Sequence, residues 1–545
     1  MIDRYKVIRE TNRFRTRDGI RLDADIYRPD SDATFPILLV RQPYGRSIAS
    51  TVVYAHPRWY ASFGYIVVIQ DIRGRGTSEG EFQLFTHEIN DGFDTLEWVS
   101  RLPNSTGEVG MYGFSYQGTT QLYAAATGHP ALKTICPAMI AYDVYEDWAY
   151  ENGAFHLQYN LAWAIQLAAE TARLQGDEAV YQKLFLASRN LPLFDPIPAN
   201  PIVLKELAPD SFYHDWLNHP EPDRYWEELS PRNYLTTIDL PMLHIGGWFD
   251  PHLRGTLKLY DAMKTRSEFP QRLTIGPWTH LPWGRRVGEK DYGIESVSPV
   301  DSLQIQWFDF FLKGKKSDFL DKPPLYLFEM GVDRWRYLED LATENARTYY
   351  LASEGLAGIR EDDGKLHEAL TDTEIEDTIV HDPWRPVPSL GGHSALPGGV
   401  FDRSALDCRS DILTYTSEPL EQDLTILGTP SVQIFCQSDA TSFDLHATLS
   451  EVTDDGKVFP ISGGYIRINR PLSPVQIPLQ ATFITIPRHR RIRLSIAASC
   501  FPAHPVNPGT GSLPGDTRAI DLGIHTIQLF CQGKNPSQIS FPSIG

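Results

Sequence analysis

Ser115 lies in Gly113-Phe114-Ser115-Tyr116-Gln117-Gly118, after a short apolar run at 109–112 and before an Ala-rich, helix-favouring segment. A serine between a strand and a helix, with small neighbours that relieve crowding, fits the tight turn of a nucleophile elbow. Such a turn holds the hydroxyl clear of the backbone. The general pattern places its second glycine two residues after the serine, whereas here Gln117 takes that place and Gly118 follows it. A serine hydroxyl is a weak nucleophile until a base removes its proton, and the imidazolium so formed needs an oriented carboxylate. In a hydrolase sheet these partners follow in the chain order Ser, Asp or Glu, His, just beyond strand ends.

Asp250 satisfies this order. It follows the apolar run 242–245 in Gly246-Gly247-Trp248-Phe249-Asp250, where the glycines are expected to let the chain turn at the carboxyl edge of the sheet. The alternative is a loop aspartate that caps the helix starting near Leu253. His280 follows the run 273–275 in Gly276-Pro277-Trp278-Thr279-His280. Of the other histidines, His244 and His252 lie too close to the acid for this logic. His56, His87, His129, His156, His214 and His219 precede it, and those from His367 onward fall in a different domain.

A tetrahedral oxyanion needs two preorganised donors. The backbone N–H of Tyr116, directly after the nucleophile, supplies one. The second is expected from the loop Arg41-Gln42-Pro43-Tyr44-Gly45, which has no glycine run and whose Pro43 has no N–H. There the Tyr44 phenol could donate, with a packing tyrosine as the equal alternative. The segment Asp71-Ile72-Arg73-Gly74-Arg75-Gly76-Thr77-Ser78-Glu79-Gly80 fails the dinucleotide fingerprint because Glu79 stands where glycine or alanine is required. It reads as a structural loop with a buried Asp–Arg pair. No HExxH, EF-hand, P-loop or CxxC pattern occurs, so no metal and no cofactor are expected.

The elements that must hold these residues alternate. Apolar runs at 35–40 and 65–69 read as strands buried on both faces, and Phe93, Leu96, Val99 and Leu102 mark a helix between strands. Strand and helix in alternation imply an α/β domain built on a mostly parallel sheet over 1–140. Residues 141–235 carry helix-like stretches at 157–174 and 178–186 and read as an inserted helical cap. The strand–helix pattern resumes over 236–345, with an amphipathic helix bearing Leu303, Trp307, Phe310 and Phe311. Over 346–545 short alternating strands such as Arg491-Ile492-Arg493-Leu494-Ser495-Ile496, with a hairpin turn at Asp454-Asp455-Gly456, read as a sandwich or jelly roll.

At 545 residues the chain exceeds a single core. Its 50 basic against 69 acidic residues give a formal charge of −19, which argues against a nucleic-acid partner. Five scattered cysteines without a CxxC pair argue against a disulfide framework. The charged N-terminal stretch lacks a signal-peptide core, and no apolar run approaches the ~18 residues of a membrane span, so the expectation is a soluble cytoplasmic protein without a membrane partner.

Arg17-Asp18-Gly19-Ile20-Arg21-Leu22, Arg41-Gln42-Pro43-Tyr44, Asp71-Ile72-Arg73-Gly74, the Ser115 elbow, Gly247-Trp248-Phe249-Asp250, Gly276-Pro277-Trp278-Thr279-His280 and Pro388-Ser389-Leu390-Gly391-Gly392 together resemble the cocaine esterase and X-Pro dipeptidyl-peptidase family of serine hydrolases. The resemblance spans nearly the whole chain. It implies an α/β-hydrolase domain with an inserted helical cap and a C-terminal jelly roll. It further implies a triad of Ser115, Asp250 and His280, with the Tyr44 hydroxyl and the Tyr116 N–H as oxyanion donors. Family members share a tyrosine directly after the nucleophile and a glycine three after it. Trp148 and Trp163 look like the aromatic residues that hold the acyl group in the family; the alternative is that they are tryptophans of the cap core.

Amino-ester hydrolases of the family recognise an α-amine with carboxylates, some directly after the triad acid, where this chain has Pro251, His252 and Leu253. A free-amine acyl group is therefore disfavoured, with Asp143, Glu146 and Asp147 as other sources of charge. The expected activity is hydrolysis of small carboxylic esters through an acyl-enzyme. The alternatives are an amide-cleaving acylase or X-Pro dipeptidyl-peptidase and, from another class, an inert binding protein that uses the jelly roll. The expected partner is a small ester or acyl substrate, and a homodimer is left open.

Overall fold

The structure, a computed structural model, describes residues 4–48, 51–236, 238–341, 345–370, 374–469 and 474–544. Its first sheet contains β1 (Val7–Arg15), β2 (Arg21–Pro29), β3 (Phe35–Gln42), β4 (Ile66–Asp71), β5 (Ser105–Phe114), β6 (Leu132–Ala138), β7 (Met242–Phe249), β8 (Gln271–Thr279), β9 (Leu325–Glu329) and β10 (Arg334–Leu338). Their order across the sheet is β1-β2-β4-β3-β5-β6-β7-β8-β9-β10. The strands from β4 to β9 run parallel, and antiparallel strands close both edges. Every residue of β3, β4 and β7 is buried, as expected where helices cover both faces of a sheet.

This topology sends the ends of β3, β5, β7 and β8 to one edge, and the chain leaves that edge through Tyr44, Ser115, Asp250 and His280. The Gly246–Gly247 pair does not make the expected turn. It continues as strand, with Gly247 opposite Gly276 of β8, and the chain turns only after Phe249. The helix α1 (Glu88–Val99) and the helix α2 (Tyr116–Ala126) flank the nucleophile side.

The cap leaves the sheet after β6 through a π-helical turn at Tyr145–Ala149 and continues into its longest helix, α3 (Leu157–Gln175). Gly176 in the left-handed conformation closes α3, and the Asp177 carboxylate caps the helix Glu178–Arg189. Trp148, Leu161, Ile165, Tyr213, Trp216 and Trp226 form a core of the cap that also reaches Tyr116 on the hydrolase domain.

From Asn345 onward, among the described residues, a thirteen-stranded network dominates, almost all of it antiparallel, with one parallel strand pair between Lys365–His367 and Ile412–Ser417. The strand Glu376–His381 alternates exposed and buried positions, as an outer strand of a sandwich does. The hairpin Phe443–Val452 with Val458–Ile468 turns at Asp454-Asp455-Gly456. The apolar core of this domain runs without a break into Trp248, Phe249 and Leu253 of the hydrolase domain. Among the described residues, no helix is long and apolar enough to cross a membrane.

The elbow explains its own glycines. Ser115 has φ 59° and ψ −129°, which a side-chain-bearing residue adopts only when its surroundings enforce it. A Cβ on Gly113, itself at φ +144°, would lie 2.6 Å from the Cβ of Gln117. A Cβ on Gly118 would lie 2.4 Å from Ile140 Cγ2 and 2.7 Å from the Ala138 carbonyl oxygen. The late glycine thus lets α2 lie against the end of β6. Gly118→Ala is expected to lower stability by about 1–3 kcal/mol, read as a fall in Tm. An unchanged Tm would show that α2 can retreat from β6 at no cost.

Candidate active site

His280 Nδ1 lies 2.8 Å from Asp250 Oδ1, and the Asp250 side chain is fully buried. The imidazole ring also lies 5.4 Å, centroid to centroid, from Phe114, the residue before Ser115. Asp250 is itself held by the backbone: its N–H donates to the Gly247 carbonyl at 3.0 Å, and its carbonyl accepts from the Leu253 N–H at 3.2 Å. Asp250 does not cap the following helix, α4 (Leu253–Arg266), whose N-cap is His252. A further tie comes from the β domain. The side-chain amide of Gln480, buried in that domain, donates to the Asp250 carbonyl at 2.6 Å.

On the other side of Ser115, the Tyr44 phenol lies next to both Ser115 and Trp163. The Trp163 indole N–H donates to the phenol oxygen at 3.2 Å. Burial pushes the Tyr44 hydroxyl up to about 12, so the phenol keeps its proton, and with it its capacity to donate, through pH 10. Its backbone N–H donates to Gln42 Oε1 at 2.7 Å, and the Gln42 amide donates in turn to Asp71 Oδ1 at 3.0 Å.

Asp71 is the anchor of this edge. The expected buried Asp–Arg pair exists, but its arginine is Arg46 from the Tyr44 loop rather than Arg73 or Arg75 from its own segment. The Arg46 backbone N–H also donates to Asp71 Oδ1 at 2.6 Å. Arg73 instead bridges Asp18 and Asp91, and Arg75 lies over the Phe82 ring.

Beneath the elbow, the Tyr116 hydroxyl donates to Glu88 Oε1 at 2.9 Å, and the buried Arg41 guanidinium binds Glu88 Oε2 at 2.7 Å. This chain of contacts fixes Tyr116, the first residue of α2. Above the site, Trp148 and Trp163 stack with centroids 4.9 Å apart. Trp163 meets the site through Tyr44. Trp148 meets it through His252, whose ring is 4.6 Å from Trp148 and 5.0 Å from His280.

His252 is the site residue that chain-order reasoning set aside. It is buried, its Nδ1 faces the Asp147 carbonyl at 2.9 Å, and burial pulls its pKa down to about 4, which leaves the ring neutral beside His280. The signal available in the sequence was its position two residues after Asp250. The cap carboxylates are already engaged: Asp143 pairs with Arg232 at 2.5 Å, Glu146 with Lys258 at 2.6 Å, and Asp147 with Lys258 at 2.9 Å.

The sheet order, a serine elbow after β5, an acid after β7 and a histidine after β8 define an α/β-hydrolase with a C-terminal β domain. Two family models match the chain: X-Pro dipeptidyl-peptidase (S15 family) over residues 18–282, and the X-Pro dipeptidyl-peptidase C-terminal non-catalytic domain over 317–540. Cocaine esterase of Rhodococcus sp. (strain MB1 Bresler) is 30% identical over 97% of both chains. An aminopeptidase structure from a marine-sediment Thaumarchaeota archaeon superposes with TM-score 0.82 at 23% identity, over 99% of this chain and 97% of that one. An α-amino acid ester hydrolase structure gives TM-score 0.79 at 22% identity over the same shares. The chain belongs to the cocaine esterase and X-Pro dipeptidyl-peptidase family of hydrolases.

Trp163→Phe keeps the stacked ring and removes the N–H that holds the Tyr44 oxygen, so kcat is expected to fall about 3- to 10-fold with KM little changed. A rise in KM alone would mean that Trp163 only lines the pocket. Asp71→Asn should act on the same loop from below and lower kcat while Gln42 and Tyr44 lose their register. An unchanged kcat in a folded Asp71→Asn protein would show that the loop is set elsewhere.

Proposed function

We propose that the chain is a serine esterase that hydrolyses small carboxylic esters with apolar, uncharged acyl groups. The reading rests chiefly on the Asp250–His280 pair at 2.8 Å, at the strand edge from which the strained Ser115 turn also leaves. In this mechanism His280 Nε2 takes the Ser115 proton as Oγ attacks the ester carbonyl. Asp250 holds the Nδ1–H and stabilises the imidazolium. The Tyr44 hydroxyl and the Tyr116 N–H donate to the oxyanion. His280 then protonates the departing alcohol, and water, deprotonated by the same imidazole, releases the acid and regenerates Ser115.

The substrate class follows from what lines the site. The stacked Trp148 and Trp163 offer apolar surface to an acyl group, and the nearby carboxylates are committed to Arg232 and Lys258. Among the described residues there, Asp143, Glu146 and Asp147 offer a substrate ammonium no uncommitted carboxylate, which weighs against α-amino esters and against peptides bound by a free N-terminus.

A panel of matched aryl esters, amides and X-Pro amides tests the proposal. Esters should turn over fastest, and acyl groups with a free α-amine more slowly than their uncharged counterparts. Faster turnover of amides than of matched esters would favour the acylase or X-Pro dipeptidyl-peptidase reading. Ser115→Ala should lower kcat by at least about 10⁴-fold, and Tyr44→Phe by about 10²–10³-fold. A fluorophosphonate probe should modify Ser115, as read by peptide mapping. Failure to label the folded protein would point to the inert binding protein.

A further inference from the structure

Between the cap and the β domain lies a buried polar cluster that takes no part in the proposed chemistry. Glu151 ends the short cap strand Tyr150–Glu151, and His156 is the N-cap residue of α3. His393 and His504 come from loops of the β domain, and all four side chains are buried. The two carboxylate oxygens of Glu151 have different surroundings. Oε1 accepts from the Tyr465 backbone N–H at 3.4 Å and lies 3.6 Å from the Arg254 guanidinium. Oε2 faces three imidazole Nε2 atoms: His393 at 3.2 Å, His156 at 3.7 Å and His504 at 3.7 Å.

Of the three, only His393 is close enough to donate a hydrogen bond to Oε2. His504 Nδ1 lies 3.1 Å from the Phe155 carbonyl oxygen, which can only accept, so Nδ1 carries the proton and the neutral ring aims the Nε2 lone pair toward Glu151. His504 Nε2 and both ring nitrogens of His156 have no hydrogen-bond partner among the described residues. A lone pair aimed at a buried carboxylate is repulsive unless a cation lies between them, and an N–H at 3.7 Å is too distant to be a hydrogen bond. Donor atoms of Glu151, His156 and His504 all lie within 4.8 Å of one another. Ligands about 2.0–2.1 Å from a tetrahedral zinc ion stand roughly 3.3 Å apart; the two Glu151–histidine separations of 3.7 Å are close to this, and closing the set on an ion also draws together the two histidine nitrogens, which lie within 4.8 Å of each other.

We propose that Glu151 Oε2, His156 Nε2 and His504 Nε2 bind one divalent transition-metal ion of the zinc class, which braces the cap against the β domain. His393 donates to the same carboxylate oxygen and orients it, and the Phe155 carbonyl fixes the tautomer of His504, as groups outside a metal's own ligands commonly do. Arg254 occupies the other oxygen, which leaves Oε2 as the single metal-binding atom of Glu151. Two imidazoles and one carboxylate leave a fourth position for water. The three ligands are dispersed along the chain, 151, 156 and 504, so no spacing motif announces them.

The test is elemental analysis of the full chain purified without chelators, followed by Zn²⁺ and Co²⁺ titration of chelator-treated protein. The expected result is about one ion bound per chain, visible absorption bands from bound Co²⁺, and a Tm several degrees higher with zinc. Glu151→Gln and His504→Gln should weaken zinc binding at least about tenfold while ester turnover persists. Uptake of less than about 0.1 equivalent of either metal by the folded wild-type protein overturns the site. Unchanged zinc affinity in a His504→Gln protein with wild-type circular dichroism overturns it equally. Should both variants fail to fold, the wild-type titration alone decides.

Discussion

Ser115 is held at φ 59° and ψ −129°, and most of the local architecture serves to make that conformation the stable one. Such backbone costs on the order of 1–3 kcal/mol, which the surroundings must offset. The Ser115 N–H donates to the Ala138 carbonyl at 2.9 Å, which ties the turn to β6, and its carbonyl accepts from the Thr119 N–H at 2.9 Å, which ties it to α2. Both bonds require α2 to start close against the end of β6. Gly118 permits that approach, and the buried Arg41–Glu88–Tyr116 chain fixes the angle of the first turn. Gln117 can stand where other elbows have glycine because the space for its Cβ is provided by Gly113.

The same edge is supported from three directions. The hydrolase domain anchors the Tyr44 loop through Asp71, Gln42 and Arg46. The cap reaches the Tyr44 hydroxyl through Trp163. The β domain reaches the Asp250 turn through Gln480, which donates to the carbonyl of the residue whose carboxylate faces His280. The apolar core shared by Trp248, Phe249 and the β domain makes this last contact a rigid one. A domain named as non-catalytic in its family model therefore still touches the backbone of the proposed acid. That gives a physical reason for the two domains to remain on one chain.

Much of this was readable from local sequence. Ser115, Asp250 and His280 each follow a strongly apolar run, and in a parallel sheet such runs end on a common edge, so their adjacency follows from strand direction alone. The cap and the β domain were legible as changes of periodicity. Harder to read were features set by long-range contact. The Gly246–Gly247 pair reads as a turn, but pairing with β8 keeps it extended. Arg46 rather than a neighbouring arginine reaches Asp71, because the loops after β3 and β4 lie side by side only in the folded sheet. Chain order does not pick out His252, because it identifies the residue that can act as base. It says nothing of which rings pack around that base.

On the proposed reading, in which Trp148 and Trp163 hold the acyl group, pairing elsewhere shapes specificity. Asp147 sits in the π-helical turn with its Oδ2 accepting from the Tyr142 and Asp143 N–H groups and its Oδ1 bound to Lys258 of α4. Its carboxylate is thus consumed in holding the cap entrance to the helix that follows Asp250. The adjacent Trp148 is left to face the site, stacked on Trp163 and against a neutral His252. An acyl group entering here meets aromatic faces and an uncharged imidazole. An ammonium would have to break the Lys258 pairs to find a partner, and burying it without one costs several kcal/mol. Selectivity for uncharged acyl groups would then come less from any single pocket contact than from the prior commitment of the nearest acids to the fold.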